Sequence, residues 1–461
     1  MRDHSLRCTR VLLLCAALAA ARALAQQKTG PGITGEESLT WKGITLYGVI
    51  DVGVQYDTHM APFTPFRPAA SGNIVRPMSR ESVVGVSPSN MGQSRVGLQG
   101  IEPLAGDWAA LFQVETFFNP QSGEIANSLK SLTVNNGVPL SKQSVGVDGS
   151  SAGQALQTSW VGLKSPRFGT LTFGRQVTLL LEGVIEYDPN YNAAAFGLLG
   201  ASNSYSGGGS QESNRLDSTL KYRVSFNELW HLGALYKLHG ASGSANTAWQ
   251  GNIGADLAHA SVDGYYSRVN SAITATSLSA SQLARLPPAY SAADSVAATI
   301  SDNTAYALMA VYKLEALRLF AGYEHIRYEN PRTPSSPGFV NIGGYVLAFV
   351  NNSAYDNSRS VQVYWTGVRY RPLPRLDLTA AWYGVHQGAY GSGALAGCAS
   401  RLSSSCSGSL EAFSFDADYR FNLHFDAYVG AMYSGVHDGM ANGYPYYTTN
   451  INPTIGVRYR F

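Results

Sequence analysis

The C-terminal stretch Pro453-Thr-Ile-Gly-Val-Arg-Tyr-Arg-Phe461 decides the fold prediction. Its apolar and aromatic residues Ile455, Val457, Tyr459 and Phe461 share one parity, and its two arginines share the other. Successive side chains of an extended chain point to opposite faces, so this strand has one apolar face and one basic face. A strand between lipid and the watery interior of a closed barrel has this pattern. An edge strand of a soluble sheet also alternates with period two, so the stretch alone leaves both alternatives open.

The start of the chain predicts export. Three arginines precede a short apolar run from Val11 to Ala21, and Ala23-Leu-Ala25 provides a small-residue cleavage site. This arrangement is typical of a secretory signal peptide and is too short for a membrane-spanning helix. We therefore expect residues 1–25 to be removed and residues 26–461 to form a single domain.

The composition of the mature chain favours a membrane barrel. Removal of the signal peptide leaves 29 basic and 30 acidic residues, so bulk charge gives no support for nucleic-acid binding. Charged residues make up 14% of the whole chain, against about 25% in soluble domains, while 27 tyrosines and 48 glycines are present. No apolar stretch after residue 25 reaches the roughly 20 residues that a membrane helix needs. An outer-membrane β-barrel fits best, and a large secreted β-sandwich and a β-helix remain as alternatives.

Segments of alternating polarity recur along the chain and predict sixteen strands. They are 44–56, 94–102, 107–118, 157–165, 168–175, 215–224, 230–239, 249–258, 261–270, 304–315, 317–327, 361–371, 375–387, 410–421, 424–436 and 453–461. Most are about ten residues long, the length that a tilted strand needs to cross a membrane.

The connections between these segments are strongly unequal. Tight turns alternate with the long connections 57–93, 119–156, 176–214, 240–248, 271–303, 328–360, 388–409 and 437–452. A sandwich has no reason to alternate in this way, and a β-helix would show a fixed repeat period. The prediction is therefore an all-β protein, a transmembrane antiparallel β-barrel of 16 strands with short periplasmic turns and long extracellular loops.

Two cysteines remain after loss of the signal peptide. Cys398 and Cys406 lie in a Gly/Ser-rich stretch of a protein that passes through an oxidising compartment, so we expect them to form a disulfide. The alternative is a metal site or free thiols, which is disfavoured because no histidine or third cysteine lies nearby in sequence.

Short motifs along the chain carry a family resemblance. They are Leu46-Tyr-Gly-Val-Ile-Asp51, Ser94-Arg-Val-Gly-Leu98, Phe112-Gln-Val-Glu115, Val161-Gly-Leu163, Phe168-Gly-Thr-Leu-Thr-Phe-Gly-Arg-Gln176 and Val457-Arg-Tyr-Arg-Phe461. In this order and spacing the chain resembles the Gram-negative general porins, in the trimeric sixteen-stranded form of β-proteobacteria. The resemblance covers residues 41–461. The first, second, fifth and sixth long loops are longer than the family pattern.

The resemblance implies a homotrimer that passes small hydrophilic solutes and ions by passive diffusion. It implies that the third long loop, 176–214, folds inward as a constriction loop. It also implies contact with membrane lipid and lipopolysaccharide, and an aromatic C-terminus, Tyr459 and Phe461, that is read by the outer-membrane assembly machinery.

Charged residues expected inside the barrel are the candidate pore residues. An acidic rim on the inward loop would consist of Glu182, Glu186, Asp188 and Glu212, unless these acids anchor the loop or sit in solvent. Basic residues with lumen parity are Arg95, Lys221, Arg223, Arg369, Arg458 and Arg460; the last two lie near the turn-side rim, where the alternative is that they set the entry potential. Lumen-facing acids are Asp51 and Glu115, for which pairing with wall arginines is the alternative to solute contact. The resemblance assigns Arg95 and Arg175 to a pore-lining basic cluster. Opposed charges of this kind create a field across a constriction. The wall and loop charges nearly balance, so the sequence predicts no ion preference.

Two other functions remain open. A surface receptor or adhesin barrel would use the expanded loops to bind partners. A hydrolase would need a nucleophile beside a histidine, and Gly149-Ser-Ser-Ala-Gly153 matches G-x-S-x-G but lies in a loop rather than between a strand and a helix. The histidines are scattered without metal-ligand spacing, so we expect no enzymatic activity, no metal and no cofactor.

Overall fold

A computed structural model describes residues 39–62, 73–145, 153–199, 215–238 and 247–461, and the predicted signal peptide lies outside them. Sixteen strands form the barrel. In chain order, β1 to β16 are Ile44–Met60, Arg95–Pro103, Ala109–Phe117, Thr158–Ser165, Gly169–Val177, Arg215–Phe226, Trp230–Lys237, Thr247–Asp256, Ala260–Thr276, Ser295–Leu314, Leu317–Glu329, Arg359–Leu373, Leu376–Gln387, Gly408–Arg420, Phe425–Asp438 and Thr454–Arg460.

Each barrel strand pairs antiparallel with the next, and the last pairs with the first. The register of β1 with β16 runs from Val49↔Arg460 to Gln55↔Thr454 and closes the sheet on itself. Closure leaves no bare sheet edge, which hydrocarbon could not satisfy. The predicted sixteen-stranded antiparallel barrel is confirmed.

Side chains alternate between an apolar outer face and a polar inner face. In β1, Ile50 and Val54 are exposed on the outside, whereas Asp51 and Gln55 are buried on the inside. In β14, Phe413, Phe415 and Tyr419 are exposed and the acids between them are buried. Aromatic residues also stand on the outer face beside the short turns, for example Tyr370, Phe421 and Tyr459. Large apolar side chains left exposed in this pattern fit contact with lipid.

Strands β9 and β10 extend well beyond their predicted ends. They stay paired after a β-bulge between Val269 and Ala272, as far as Thr276↔Ala297. The extension buries Ile273 and Val296 in a small apolar cluster of its own. Protein covers both faces of this extension, so its sequence lacks the alternation that lipid imposes on the membrane strands. The sequence therefore predicted a loop there.

Shorter elements lie in the long connections. The additional strands are Thr40–Trp41, Glu81–Pro88, Phe339–Ile342, Tyr345–Asn351 and Thr449–Ile451. The helices are α1 (Ser128–Val134), α2 (Leu179–Tyr187) and α3 (Ala280–Leu283), with 3-10 turns at Leu140–Lys142, Gly393–Leu395 and Gly439–Ala441. None of the helices among the described residues is long and apolar enough to cross a membrane.

The second, fifth and sixth long loops pack together. Tyr345–Asn351 pairs in parallel with the start of β10, and Leu129 of α1 is buried against this extension. The side-chain amide of Asn136 donates to the carbonyl oxygens of Ala292 at 2.8 Å and Ser295 at 2.7 Å. These contacts join the loop that follows β3 to the extended hairpin of β9 and β10.

The predicted disulfide is present. Cys398 and Cys406 are bonded to each other, and Cys406 is fully buried. The amide of Gln387, at the end of β13, donates to the Cys406 carbonyl oxygen at 2.8 Å. The seventh long loop is therefore fixed to the barrel rim.

Candidate functional site: the pore interior

Helix α2 lies inside the barrel. Thr178 caps its first turn by accepting a hydrogen bond from the backbone N–H of Leu181. Its apolar residues, including Leu180 and Val184, are buried against inward-facing side chains of the wall. The indole N–H of Trp365 in β12 donates to the Tyr187 carbonyl oxygen at 2.9 Å. The described part of the third long loop, up to residue 199, is thus packed along the inner wall.

Glu182 of α2 anchors the helix to the wall. Its carboxylate lies 2.8 Å from Lys221 Nζ and also pairs with Arg223. Lys221 and Arg223 are two residues apart on β6, so both point to the same face. These contacts favour the anchoring alternative for Glu182 over a free rim acid or a solvated one.

Asp188 follows α2 and is fully buried. Tyr383 of β13 donates to one carboxylate oxygen at 2.7 Å, and the backbone N–H of Asn192 donates to the other at 2.7 Å. Burial raises the pKa of this carboxyl. Asp188 therefore fixes the loop, which corrects the expectation that it forms a free pore rim.

Glu186 is the rim acid that reaches pore water. Its side chain is exposed on one side. Desolvation by the surrounding protein raises its pKa, and repulsion from Asp263 and Asp256 raises it further. Asp263 itself is buried and accepts hydrogen bonds from Tyr187 and from Asn252. The fourth predicted rim acid, Glu212, lies outside the described residues.

Arg95 and Glu115 pair on the inner wall. Arg95 Nε lies 3.3 Å from the Glu115 carboxylate, and Tyr47 donates to the same carboxylate at 3.0 Å. Glu115 is 1% exposed, whereas Arg95 is partly exposed. The pair turns its cationic member toward the pore.

Asp51 and Arg458 are buried in the wall near its closing seam. Asp51 accepts hydrogen bonds from Tyr428 and from two backbone N–H groups. Arg458 pairs with Asp418 and Asp426, each at 3.1 Å. Both predicted pore residues are fully satisfied by protein, so the structure corrects their assignment as solute-facing charges. The neighbouring Arg460 pairs with Asp426 and stays partly exposed.

Two further arginines that were predicted to line the pore are held by other protein groups. Arg369 is buried, lies 4.0 Å from the Tyr191 ring and donates to the Pro189 carbonyl oxygen. Arg175 shares the parity of Phe173, an exposed outer-face residue, and pairs with Asp217. Strand register thus argues against a pore-lining role for Arg175.

Sequence reasoning missed several inward-facing cations. Lys164, Lys313, Arg318 and Arg371 lie on the inner face of β4, β10, β11 and β12 and are at least partly exposed. Arg371 pairs with Asp377, which is buried. The signal was present, because all four have lumen parity within the predicted strands.

Exposure separates the charges of the inner wall. Among the described residues, the wall acids that pair with cations are almost completely buried: Glu115, Asp377, Asp418 and Asp426. Within the part of the chain that the structure describes, inner-face cations that are exposed or partly exposed include Arg95, Lys164, Lys221, Arg223, Lys313, Arg318, Arg359, Arg371 and Arg460. Along the described inner wall the accessible charges are therefore mostly positive; Glu186 and Asp256 are accessible acids there, and Glu315 is exposed in an adjoining turn.

Comparison with known proteins agrees with this architecture. A family model described as Gram-negative porin matches residues 11–439. Curated protein sequences give no match. Among solved structures, the chain is similar to an anion-selective porin from Comamonas acidovorans, with a TM-score of 0.56 and 15% identity over 91% of this chain and 99% of that chain.

Two further solved structures have a similar fold. OmpT of Vibrio cholerae gives a TM-score of 0.53 and 13% identity over 92% of this chain and 100% of that chain. The outer-membrane channel DcaP of Acinetobacter baumannii gives a TM-score of 0.53 and 12% identity over 93% of this chain and 100% of that chain.

Proposed function

Since the chain belongs to the Gram-negative porin family, we propose that its channel passes small anions in preference to cations. The chain is an outer-membrane porin, a water-filled barrel for passive diffusion of small hydrophilic solutes. The proposal concerns the sign of the charge that this pore favours.

The exposure of the wall charges carries the proposal. The side chains of Glu115 and Asp377 are 1% and 4% exposed, whereas those of their partners Arg95 and Arg371 are 13% and 32% exposed. Each such pair is nearly neutral overall, but its positive end faces the solute. A pore selects by the field at its surface, so inward-facing cations favour anions. At 15% identity, the likeness to the anion-selective porin concerns the fold alone, so it does not carry the argument.

We place the constriction beside α2. Glu186 on the helix supplies the acidic rim, and Arg95 of β2 is the candidate for the basic side of the constriction. Because Glu182 and Asp188 hold the loop at two points, this rim has a fixed position. A fixed rim gives a defined pore width.

We also propose a homotrimer embedded in lipid and lipopolysaccharide, as the family resemblance implies. The apolar outer face of the barrel supports contact with lipid and with neighbouring copies. Tyr459 and Phe461 are proposed as the signal for the assembly machinery.

Reversal potentials test the ion preference. Purified protein in a planar bilayer under a potassium chloride gradient should give a potential of the sign expected for chloride. Arg95→Glu should shift it toward potassium. The matched control is Arg327→Glu, because Arg327 is more than half exposed and has the outward parity of Tyr323 in β11. A wild-type preference for potassium would overturn the proposal, and a barrel without conductance would favour the receptor alternative.

A further inference from the structure

A row of three cations crosses the inner wall on the side of the short turns. The register sets Lys313 of β10 opposite Arg318 of β11, and Arg318 opposite Arg369 of β12. Side chains directly opposite in an antiparallel pair have Cβ atoms about 4.5–5.5 Å apart, and like charges there are destabilising. The row therefore requires a compensating negative group.

The protein compensates only part of this row. Arg369 is buried against Tyr191 and donates to the Pro189 carbonyl oxygen. Lys313 is exposed and Arg318 is partly exposed, and neither has a carboxylate within 4.0 Å among the described residues. Most other inward-facing arginines have one, for example Arg95, Arg371 and Arg458.

Two acids lie near Lys313 and Arg318, but neither forms an ion pair with them. Glu186 of α2 is near enough for the charge of Lys313 to act on it. Glu315 lies in the turn that joins β10 to β11 and is exposed. An occupant that bridges Lys313 and Arg318 would lie between these strands and the tip of the third loop.

The segment that follows α2 positions a hydroxyl beside Arg318. Tyr191 adopts a left-handed backbone with φ of 51°, and its ring meets Phe320 edge-on at 6.1 Å between centroids. Arg318 donates to the Tyr191 hydroxyl oxygen at 3.2 Å. Because that oxygen accepts from Arg318, its own proton is available to a further acceptor.

We propose that Lys313, Arg318 and the Tyr191 hydroxyl form a binding site for a small oxyanion solute on the periplasmic side of the constriction. A guanidinium group matches the paired oxygens of a phosphate or carboxylate, and an ammonium group adds a point charge. The arrangement favours oxygen-bearing anions over chloride, because chloride cannot use the fork geometry of Arg318. Binding must stay weak enough for release if the solute is to pass. The site rests on the proposed anion-preferring channel and adds a solute class to it.

Inorganic phosphate is the probe for this site. Potassium chloride current through the purified protein in a planar bilayer is measured while phosphate is added to each side in turn. We expect phosphate on the short-turn side to reduce the current, and the double variant K313Q/R318Q to raise the half-blocking concentration by about tenfold or more. Tyr191→Phe, which keeps the ring and removes the hydroxyl, should give a smaller increase.

Controls separate this site from the general field of the pore. Arg327→Gln removes a cation from the outer face of β11, the strand that carries Arg318. This variant should leave phosphate block unchanged. Single-channel conductance in chloride alone reports whether each variant is a folded pore. Equal half-blocking concentrations in the wild type and the double variant, or no block of the wild type, would overturn the site. If the wild type is anion-selective and only this result fails, the channel proposal stands; a cation-selective wild type would sink the channel proposal itself.

Discussion

Individual carboxylates inside the barrel are neutralised by groups from distant parts of the chain. One of these carboxylates, Glu182, ties α2 to β6 through Lys221 and Arg223. All three side chains are largely covered by protein, so removing the shared acid leaves two cations without a partner. An uncompensated, largely buried charge costs about 3–5 kcal/mol.

Glu182→Gln should therefore loosen α2 and destabilise the folded protein. We expect a lower unfolding temperature in detergent and larger current fluctuations in single-channel records. Glu102→Gln, at the exposed end of β2, is the control for loss of an acid. Unchanged current noise in E182Q would show that the helix does not depend on this anchor.

The family resemblance assigns Arg175 and Arg95 to one pore-lining cluster, but the two arginines have different surroundings. Arg95 faces inward beside Glu115, whereas Arg175 has outer parity and pairs with Asp217. We expect Arg175→Gln to leave the reversal potential unchanged under the gradient in which Arg95→Gln shifts it toward potassium. Equal shifts in the two variants would return Arg175 to the pore wall.

Glu186 should make the proposed anion preference depend on pH. Its pKa is raised, so as pH falls it takes up a proton above the range of an ordinary glutamate. The rim then loses a negative charge, and the reversal potential should move further toward that of chloride at mildly acidic pH. Glu186→Gln should show the low-pH selectivity throughout. A variant that still titrates like the wild type in this window would assign the effect to another group.

Elements were predictable from the sequence wherever one face meets lipid. The ends of β6, β13 and β15 differ from their predicted ends by only a few residues, because lipid and water impose alternation on the sequence. The extension of β9 and β10 was not predictable, since protein covers both of its faces. Parity likewise identified inward residues but not which of them the third loop covers. Asp188 meets Tyr383 across 195 positions, a contact that no local pattern encodes.

Helix α1 fixes the second long loop to the extended hairpin. Leu129 is fully buried in that contact, whereas Val134 on the same helix is exposed. Leu129→Ala should weaken the contact by about 2–5 kcal/mol, the range for truncating a buried leucine. Val134→Ala is the matched control.

A protease that cleaves after lysine, added to intact cells, tests this contact. In L129A we expect faster cleavage at Lys130 and Lys142, with the barrel itself resistant. Equal cleavage rates in L129A and V134A would mean that other contacts, such as those of Asn136, are sufficient to hold the loop.

The whole barrel depends on the seam between its first and last strands. At that seam the backbone of Phe461 exchanges hydrogen bonds with Gly48, at 3.0 Å from the Gly48 N–H and 3.2 Å to the Gly48 carbonyl oxygen. A Cβ on Gly48 would lie 2.4 Å from the Phe461 ring, so the glycine leaves room for the ring against the wall. The terminal aromatic residue therefore completes closure, in addition to its proposed role as an assembly signal.

Replacement of Phe461 with Ala should reduce the amount of folded protein in the outer membrane far more than the conductance of each channel that forms. The ring contact at Gly48 is lost, while the inner wall and α2 are unchanged. Phe421→Ala, an exposed aromatic beside another short turn, is the control for loss of a ring at the membrane surface. Gly48→Val tests the packing of the first strand separately, because its side chain would displace the Phe461 ring and press on the Arg95 carbonyl oxygen of β2 without altering the terminal residue. If F461A assembles poorly and G48V assembles normally, the terminal residue acts as a signal alone; if both assemble poorly, closure of the seam itself limits assembly. Normal outer-membrane levels of F461A would contradict both roles.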